Sequence, residues 1–333
     1  MVMLLPHRLK ERDTIGLVAP SASASHIRQE VWQNGVKKLA SKGFHVMEGD
    51  HIFCRHGHAS GTVKERADDL NGMFADDDVD MVMSVYGGFN SHQLLEHLDY
   101  QAIASSGKTF IGFSDVTSLN TAILSQAGLL NFSGPAFVTF CQPDLPRYTE
   151  NCFDQMLIEG RDHVEIIPSE LWAEDPWYRK PDMGPREWME NPGWEVIKEG
   201  SADGRAIGGN LGTLMLLSST DYWPVMDGAI LFLEDDDEES PYTIDRHLTH
   251  LRHMGVFEQI SGLVLGRTPS KVGFSHEDNL RMIVEEATRG YDLPILSGAD
   301  FAHTDPLFTI PIGGSAVLDT RAPSLSFEGP FVR

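Results

Sequence analysis

The segment Lys108–Asn120, KTFIGFSDVTSLN, puts a serine directly after a β-branched and aromatic run and directly before a helical pattern. A helix N-terminus offers unpaired backbone N–H groups and a partial positive charge, which suit a nucleophile and a developing oxyanion. Ser114 or Asp115 could equally be a plain helix cap, since both residue types are favoured there. The segment misses the G-x-S-x-G elbow, because Val116 stands where the second glycine would be. A second feature lies upstream. SVYGGFNSH places Gly87 and Gly88 at the end of an apolar strand and before a helix. The carboxyl ends of neighbouring parallel strands face one crevice. A glycine there could aim its N–H at a carbonyl oxygen under attack by Ser114, with the N–H of Asp115 as second donor. The simpler reading is a tight turn that needs positive φ. No G-x-G-x-x-G follows either strand, which weakens a dinucleotide reading.

A serine nucleophile needs a base, and the base needs an orienting acid. Fourteen histidines compete for the role. His247, His250 and His253 recur every third residue of a helix, but they fan around it while Ile244, Leu248 and Leu251 form the apolar stripe. They read as a solvated face rather than metal ligands. His276 lacks the second histidine of H-E-x-x-H. His303 lies in a loop rich in proline and glycine just past a predicted strand, a usual place for a functional histidine. Glu234 closes the strand AILFLE, where its carboxylate could orient that imidazole; the acids after it read as a solvated loop, with no D-x-[DN]-x-[DN]-G pattern.

These candidates require a scaffold of strand ends. The first half alternates short apolar runs with amphipathic segments, beginning with TIGLVAP and the helical spacing of Ile27, Val31, Val36 and Leu39. Gly43 suits the residue after that helix, and Thr62 with Glu65 fits a capping box. Segments Ser91–Tyr100 and Val116–Gly128 read as helices. Repeated strand–helix units imply an α/β layered sheet with right-handed crossovers. The pattern breaks near Ile166, in a stretch holding four of the six tryptophans (Trp172, Trp177, Trp188, Trp194) and five prolines. Beyond it, helices and strands alternate again. The expected division is an N-terminal domain over 1–165, a Trp/Pro-rich connection over 166–201 and a C-terminal domain over 202–333.

The formal net charge of −23 argues against nucleic acid polymers and anionic membrane surfaces as partners. Three cysteines without a C-x-x-C pair argue against a disulfide framework or a zinc ribbon. With no signal-peptide pattern and no apolar run of the ~20 residues that span a bilayer, the expected location is cytoplasmic.

Several segments, taken in order, resemble the serine peptidase family that includes the LD-carboxypeptidases of murein recycling and the microcin C immunity peptidases. They are DTIGLVAPSA, YGGFNSHQLLEHLDY, KTFIGFSDVTSLN, FSGPA, GRAIGGNLGTL, ILFLEDDDEESPYTIDRHLTHLRHMGVF and AHTDPLFTIPIGGSAVLD, nearly end to end. The resemblance implies a Ser114–Glu234–His303 triad and oxyanion donors on Gly88 and Asp115. It also implies a Rossmann-like, class I glutamine amidotransferase-like N-terminal sheet, a smaller C-terminal α/β domain, a homodimer, and no metal or organic cofactor. LD-carboxypeptidases typically carry Arg-Gly-Gly-Tyr-Gly at the glycine turn. Tyr86-Gly87-Gly88-Phe89-Asn90 followed by Ser91 looks like the immunity branch, whose substrate is an aminoacyl-nucleotide amide rather than a small peptide. Trp177 or Trp188 could stack on a nucleobase, or could pack the domain interface. Asn210 in the GGNL turn is a candidate polar contact to substrate. One departure stands out: the loop after Glu234 reads Asp235-Asp236-Asp237-Glu238-Glu239, where immunity peptidases can carry a lysine. A non-catalytic binding protein and an α/β-hydrolase esterase are the readings from other classes.

Overall fold

The computed structural model describes residues 3–180, 184–301 and 303–333. Its first sheet is built from β1 (Thr14–Val18), β2 (His45–Glu48), β3 (Met81–Ser84), β4 (Thr109–Gly112) and β5 (Asn131–Ser133), all mutually parallel and ordered 2-1-3-4-5. Successive residues of a strand serve opposite faces. Met81 and Met83 enter one apolar core with Trp32 and Phe137, while Val82 enters the other with Leu70, Phe74 and Phe110. Coverage on both faces explains why the strands read as unbroken apolar runs. The order reverses between β1 and β3, and ligands of open α/β sheets bind at such a reversal, beyond the strands' carboxyl ends.

The second sheet is mixed and eight-stranded. It contains β6 (His163–Ile166), β9 (Glu195–Lys198), β10 (Ser201–Asn210), β11 (Ile230–Glu234), β12 (Gly262–Gly266) and β13 (Ile295–Ala299), together with β15 (Ser315–Asp319) and β16 (Ser324–Glu328). β10 to β13 form its parallel centre. Two short strands, β7 (Leu171–Trp172) and β8 (Met189–Glu190), pair with each other within the tryptophan-rich connection. β14 (Ile310–Ile312) leaves the C-terminal half and closes the first sheet antiparallel to β5. β6 goes the other way and pairs with β16. The halves are thus interlocked by exchanged edge strands. The mixed α/β class expected from the sequence is the one found.

Local signals act as their chemistry predicts in most places. Thr62 and Glu65 form the capping box of the helix Val63–Ala75, and Gly43 follows Gln29–Ser41 at φ +93°. The segment read as one helix from Ser91 to Tyr100 differs. Ser91–His97 is a 3₁₀ turn, and Asp99 then caps a separate helix, Tyr100–Ser106, by accepting from Ala102 N–H at 2.9 Å. Asp99 is a good cap and interrupts the run for that reason. Thr117–Ala122 runs on as a π turn over Ile123–Ala127. Among the described residues, no helix is long and apolar enough to cross a membrane.

Candidate active site

Ser114 lies one residue past the end of β4, after Phe113, at φ +66°, in the left-handed region that a serine rarely occupies. Strain of about 1–3 kcal/mol is typical of a non-glycine residue held there, and it persists only where the surroundings enforce it. The enforcement is visible. Asn120 Nδ2 donates to Gly112 O at 2.9 Å, and Ser91 N–H donates to Asp115 Oδ2 at 2.8 Å while Ser91 Oγ returns a bond to Asp115 O at 2.6 Å. Ser91 therefore ties the serine turn to the glycine turn.

The glycine turn needs its glycines. A Cβ on Gly87 would sit 2.7 Å from Ser114 Oγ and 3.2 Å from Asp115 N, so that residue lies directly against the serine. Gly88 has φ +148°, and a Cβ there would meet Ser21 Oγ at 2.3 Å. Ser21, fully buried, accepts from the N–H groups of Phe89 (3.0 Å) and Asn90 (3.1 Å) and donates to Asn90 Oδ1 (2.9 Å). Beneath it, the buried Arg66 donates to Pro20 O at 2.6 Å and Gln93 Oε1 at 2.8 Å. Sequence reasoning missed Ser21 and Arg66, because neither carries a local pattern.

Glu234 ends β11, in register with Asn210 at the end of β10. His303 comes from the loop between β13 and β14, 189 residues from Ser114. Its Nδ1 lies 2.6 Å from Glu234 Oε2, and its Nε2 lies 2.9 Å from Ser114 Oγ. The Glu234 side chain is 2% exposed, that of His303 20%. Phe113 adds a ring 5.3 Å from the imidazole centroid. Burial disfavours the imidazolium, but the charge and hydrogen bond of Glu234, with Asp236 and Asp235 behind it, outweigh burial and raise His303 to about 9. Burial also raises Asp235, to about 8, helped by the charges of Glu234, Glu239 and Asp236. Chemically, the carboxylate fixes one tautomer of the imidazole, and the other ring nitrogen can take the serine proton.

One contact sets the two sheets' strand ends against each other. Asn210 N–H donates to Thr117 Oγ1 at 2.9 Å, and a Cβ on Gly209 would meet that oxygen at 2.4 Å. Asn210 itself, expected to touch substrate, caps the helix Leu211–Met215: its Oδ1 accepts from Thr213 N–H at 2.9 Å and its Nδ2 donates to Asp235 Oδ1 at 3.1 Å. Trp177 is buried in the core, whereas Trp188 is 37% exposed and lies 5.2 Å from the Arg186 guanidinium. The hydrogen-bonded group thus holds Ser114, His303, Glu234 and, behind it, Asn210; both tryptophans stay with the connection. His250 and His253 are exposed and His247 half-buried, and among the described residues no group of three or more metal-ligating side chains occurs. The Asp237 member of the acidic loop pairs with Lys271.

Comparison with known proteins identifies the family. Residues 15–134 match the LD-carboxypeptidase N-terminal domain, and residues 203–318 match the LD-carboxypeptidase C-terminal domain. A putative carboxypeptidase of Treponema pallidum is 36% identical over 306 residues, 92% of this chain and 89% of the other. The microcin C7 self-immunity protein MccF of Escherichia coli is 32% identical over 336 residues, 99% and 97% of the two chains. The structure of MccF in complex with glutamyl sulfamoyl guanosine superposes with a TM-score of 0.92 at 30% identity, covering 99% of this chain and 100% of that one. The chain belongs to the LD-carboxypeptidase family of serine peptidases, and its relatives there include both MccF and carboxypeptidases.

Proposed function

We propose that Ser114, His303 and Glu234 form the catalytic triad of an amidase that cleaves aminoacyl-nucleotide amides, as in microcin C immunity or a related detoxification. The observation that carries the reading is the unbroken Glu234–His303–Ser114 hydrogen-bonded chain, assembled from three separate strand ends. His303 Nε2 takes the proton of Ser114 as Oγ attacks the amide carbonyl. The Gly88 and Asp115 N–H groups then stabilise the oxyanion; among the described residues neither donates to another group, which leaves them available. His303 gives its proton to the leaving nitrogen as the C–N bond breaks. Water, deprotonated by the same imidazole, attacks the acyl-enzyme and releases the acid and Ser114. Glu234 stays ionised throughout and stabilises the transient imidazolium. No step needs a metal or organic cofactor. A cytoplasmic homodimer is part of this reading.

A specific feature favours a second substrate class. The acids after Glu234 would repel a phosphate by about 1 kcal/mol per exposed charge pair at close range. On that ground the substrate either carries less negative charge than a nucleotide phosphate or is a peptide, the latter as for an LD-carboxypeptidase releasing terminal D-Ala from a murein tetrapeptide. Mass-spectrometric hydrolysis of an aminoacyl-sulfamoyl adenosine beside L-Ala-D-Glu-diaminopimelate-D-Ala, with Ser114→Ala as control, separates the two. Release of the sulfamoyl nucleoside with the tetrapeptide intact is the expected result. Loss of D-Ala alone would overturn it in favour of the carboxypeptidase, and equal rates with Ser114→Ala would remove the triad.

A further inference from the structure

The tryptophan-rich connection has no sequence period, yet its side chains converge on one place. Two of its tryptophans lie against arginines: Trp172 has the Arg267 guanidinium 5.1 Å from its ring centroid, and Trp188 has that of Arg186 at 5.2 Å. Each arginine holds a carboxylate of the segment that carries His303. Arg267 Nη2 reaches Asp300 Oδ1 at 3.0 Å, three residues before the imidazole. Arg186 Nη1 reaches Asp305 Oδ2 at 2.9 Å, two residues after it.

Both pairs are walled in by the connection. Asp300 also accepts from Ser169 N–H at 3.0 Å and Asn191 Nδ2 at 3.2 Å. Asp305 accepts from Gln142 Nε2 at 3.0 Å, and its backbone exchanges two hydrogen bonds with Ala173, at 2.7 and 2.8 Å. Arg186 is held from behind by Asp175 at 2.9 Å, and Lys180 closes the row on the same carboxylate. The side chains of Arg186 and Arg267 are 2% and 7% exposed.

We propose that Arg186 and Arg267 are positioning residues that clamp both flanks of the base loop and so keep His303 in line between Ser114 and Glu234. The inference rests on His303 acting as the base. Among the described residues the segment between β13 and β14 forms no helix or strand of its own, and although Phe308 N–H donates to Asp300 O at 2.7 Å across it, the carboxylates on both flanks of the imidazole are held from outside. A buried ion pair is seldom more stabilising than apolar packing, and its best-attested advantage is a defined geometry. Arginine suits the task because its planar fork meets two partners at fixed angles and stacks on an indole. A functional imidazole has to be held within roughly 0.5 Å, which is the work of groups outside the reacting atoms.

The test uses the full chain and a fluorophosphonate probe, which is attacked by Ser114 with loss of fluoride, so it needs no knowledge of the natural substrate. Arg186→Gln, Arg186→Lys and Asp305→Asn are compared with the parent well below the melting temperature of each. The second readout is the far-downfield proton NMR line of His303 Nδ1–H bonded to Glu234. Arg186→Gln is expected to label Ser114 at least tenfold more slowly and to broaden or lose the line, with Arg186→Lys recovering part of both. Asp305→Asn, which leaves Arg186 paired with Asp175, shows the same direction and carries the test if Arg186→Gln does not fold. An unchanged labelling rate and an unchanged line in the folded variants would overturn the clamp. A His303→Ala variant that labels like the parent would instead overturn the base assignment, leaving the NMR line to report on the clamp independently.

Discussion

The serine turn and the histidine loop reach the same point by opposite means. Ser114 is placed by its neighbours: β4 ends, the chain turns through φ +66°, a helix begins, and Ser91 and Asn120 close the turn with short hydrogen bonds. Few of those contacts involve the second sheet. His303 is placed by remote groups, Glu234 from β11 on one side and Arg186 of the connection with Arg267 after β12 on the other. A reacting serine can therefore be built into a strand–helix junction, where backbone geometry is stiff. The imidazole, which on the proposed mechanism serves both Ser114 and the leaving group, sits on a loop whose flanks are held from outside it.

The largest test of that contrast removes one member from each side. Ser114→Ala should lower kcat by about 10⁶-fold and Glu234→Gln by about 10⁴-fold while the fold, followed by circular dichroism, is kept. If Glu234→Gln retained most of the rate, the histidine side would be needed for structure alone. A purely local insult comes next. Gly87→Ala puts a methyl 2.7 Å from Ser114 Oγ and should cost about 10²-fold in kcat with little change in melting temperature, since an ångström-scale displacement of a reacting group is enough for that loss. A drop in melting temperature matching the rate loss would mean that the serine turn is as dependent on its surroundings as the histidine loop.

Titration sharpens the histidine side. With His303 raised to about 9, its neutral, basic form accumulates only as pH rises, so kcat/KM should climb between roughly pH 8 and 10 instead of near the usual histidine value. Asp235→Asn removes a negative charge that supports the imidazolium and should move this limb to lower pH, by less than one unit; a shift upward would reverse the electrostatic account. The smallest effect concerns stored strain. Ser114→Gly releases the left-handed backbone and should stabilise the inactive protein by about 0.5–1 kcal/mol, read as a rise in melting temperature of about 1 °C. No rise would mean that the turn is unstrained.

Much of the site was legible in the sequence because parallel α/β sheets gather their chemistry at strand ends, and Ser114, Glu234 and the Gly87–Gly88 turn all follow an apolar run directly. Two expectations met competing geometry. Asn210 faces inward as a helix cap, its amide shared between Thr213 and Asp235. Trp177 has little ring left to offer, being buried, while Trp188 already carries Arg186 on its ring. The arginines that meet the base loop, Ser21 under the glycine turn and the return of β14 to the first sheet left no local pattern to read.

Sequence by itself determined the layered α/β class, the caps, the strand ends and the residues able to act as nucleophile, acid and base. Those depend on local periodicity and on the chemistry of single side chains, which a short window contains. Only the tertiary structure decided that Glu234, His303 and Ser114 meet within 2.6 and 2.9 Å, that the halves exchange edge strands, and that Arg186, in a segment without periodicity, pairs with Asp305 beside the histidine. Such contacts join residues far apart in the chain, and they arise from packing and buried charge pairing across the whole molecule, for which no window of sequence carries the distance.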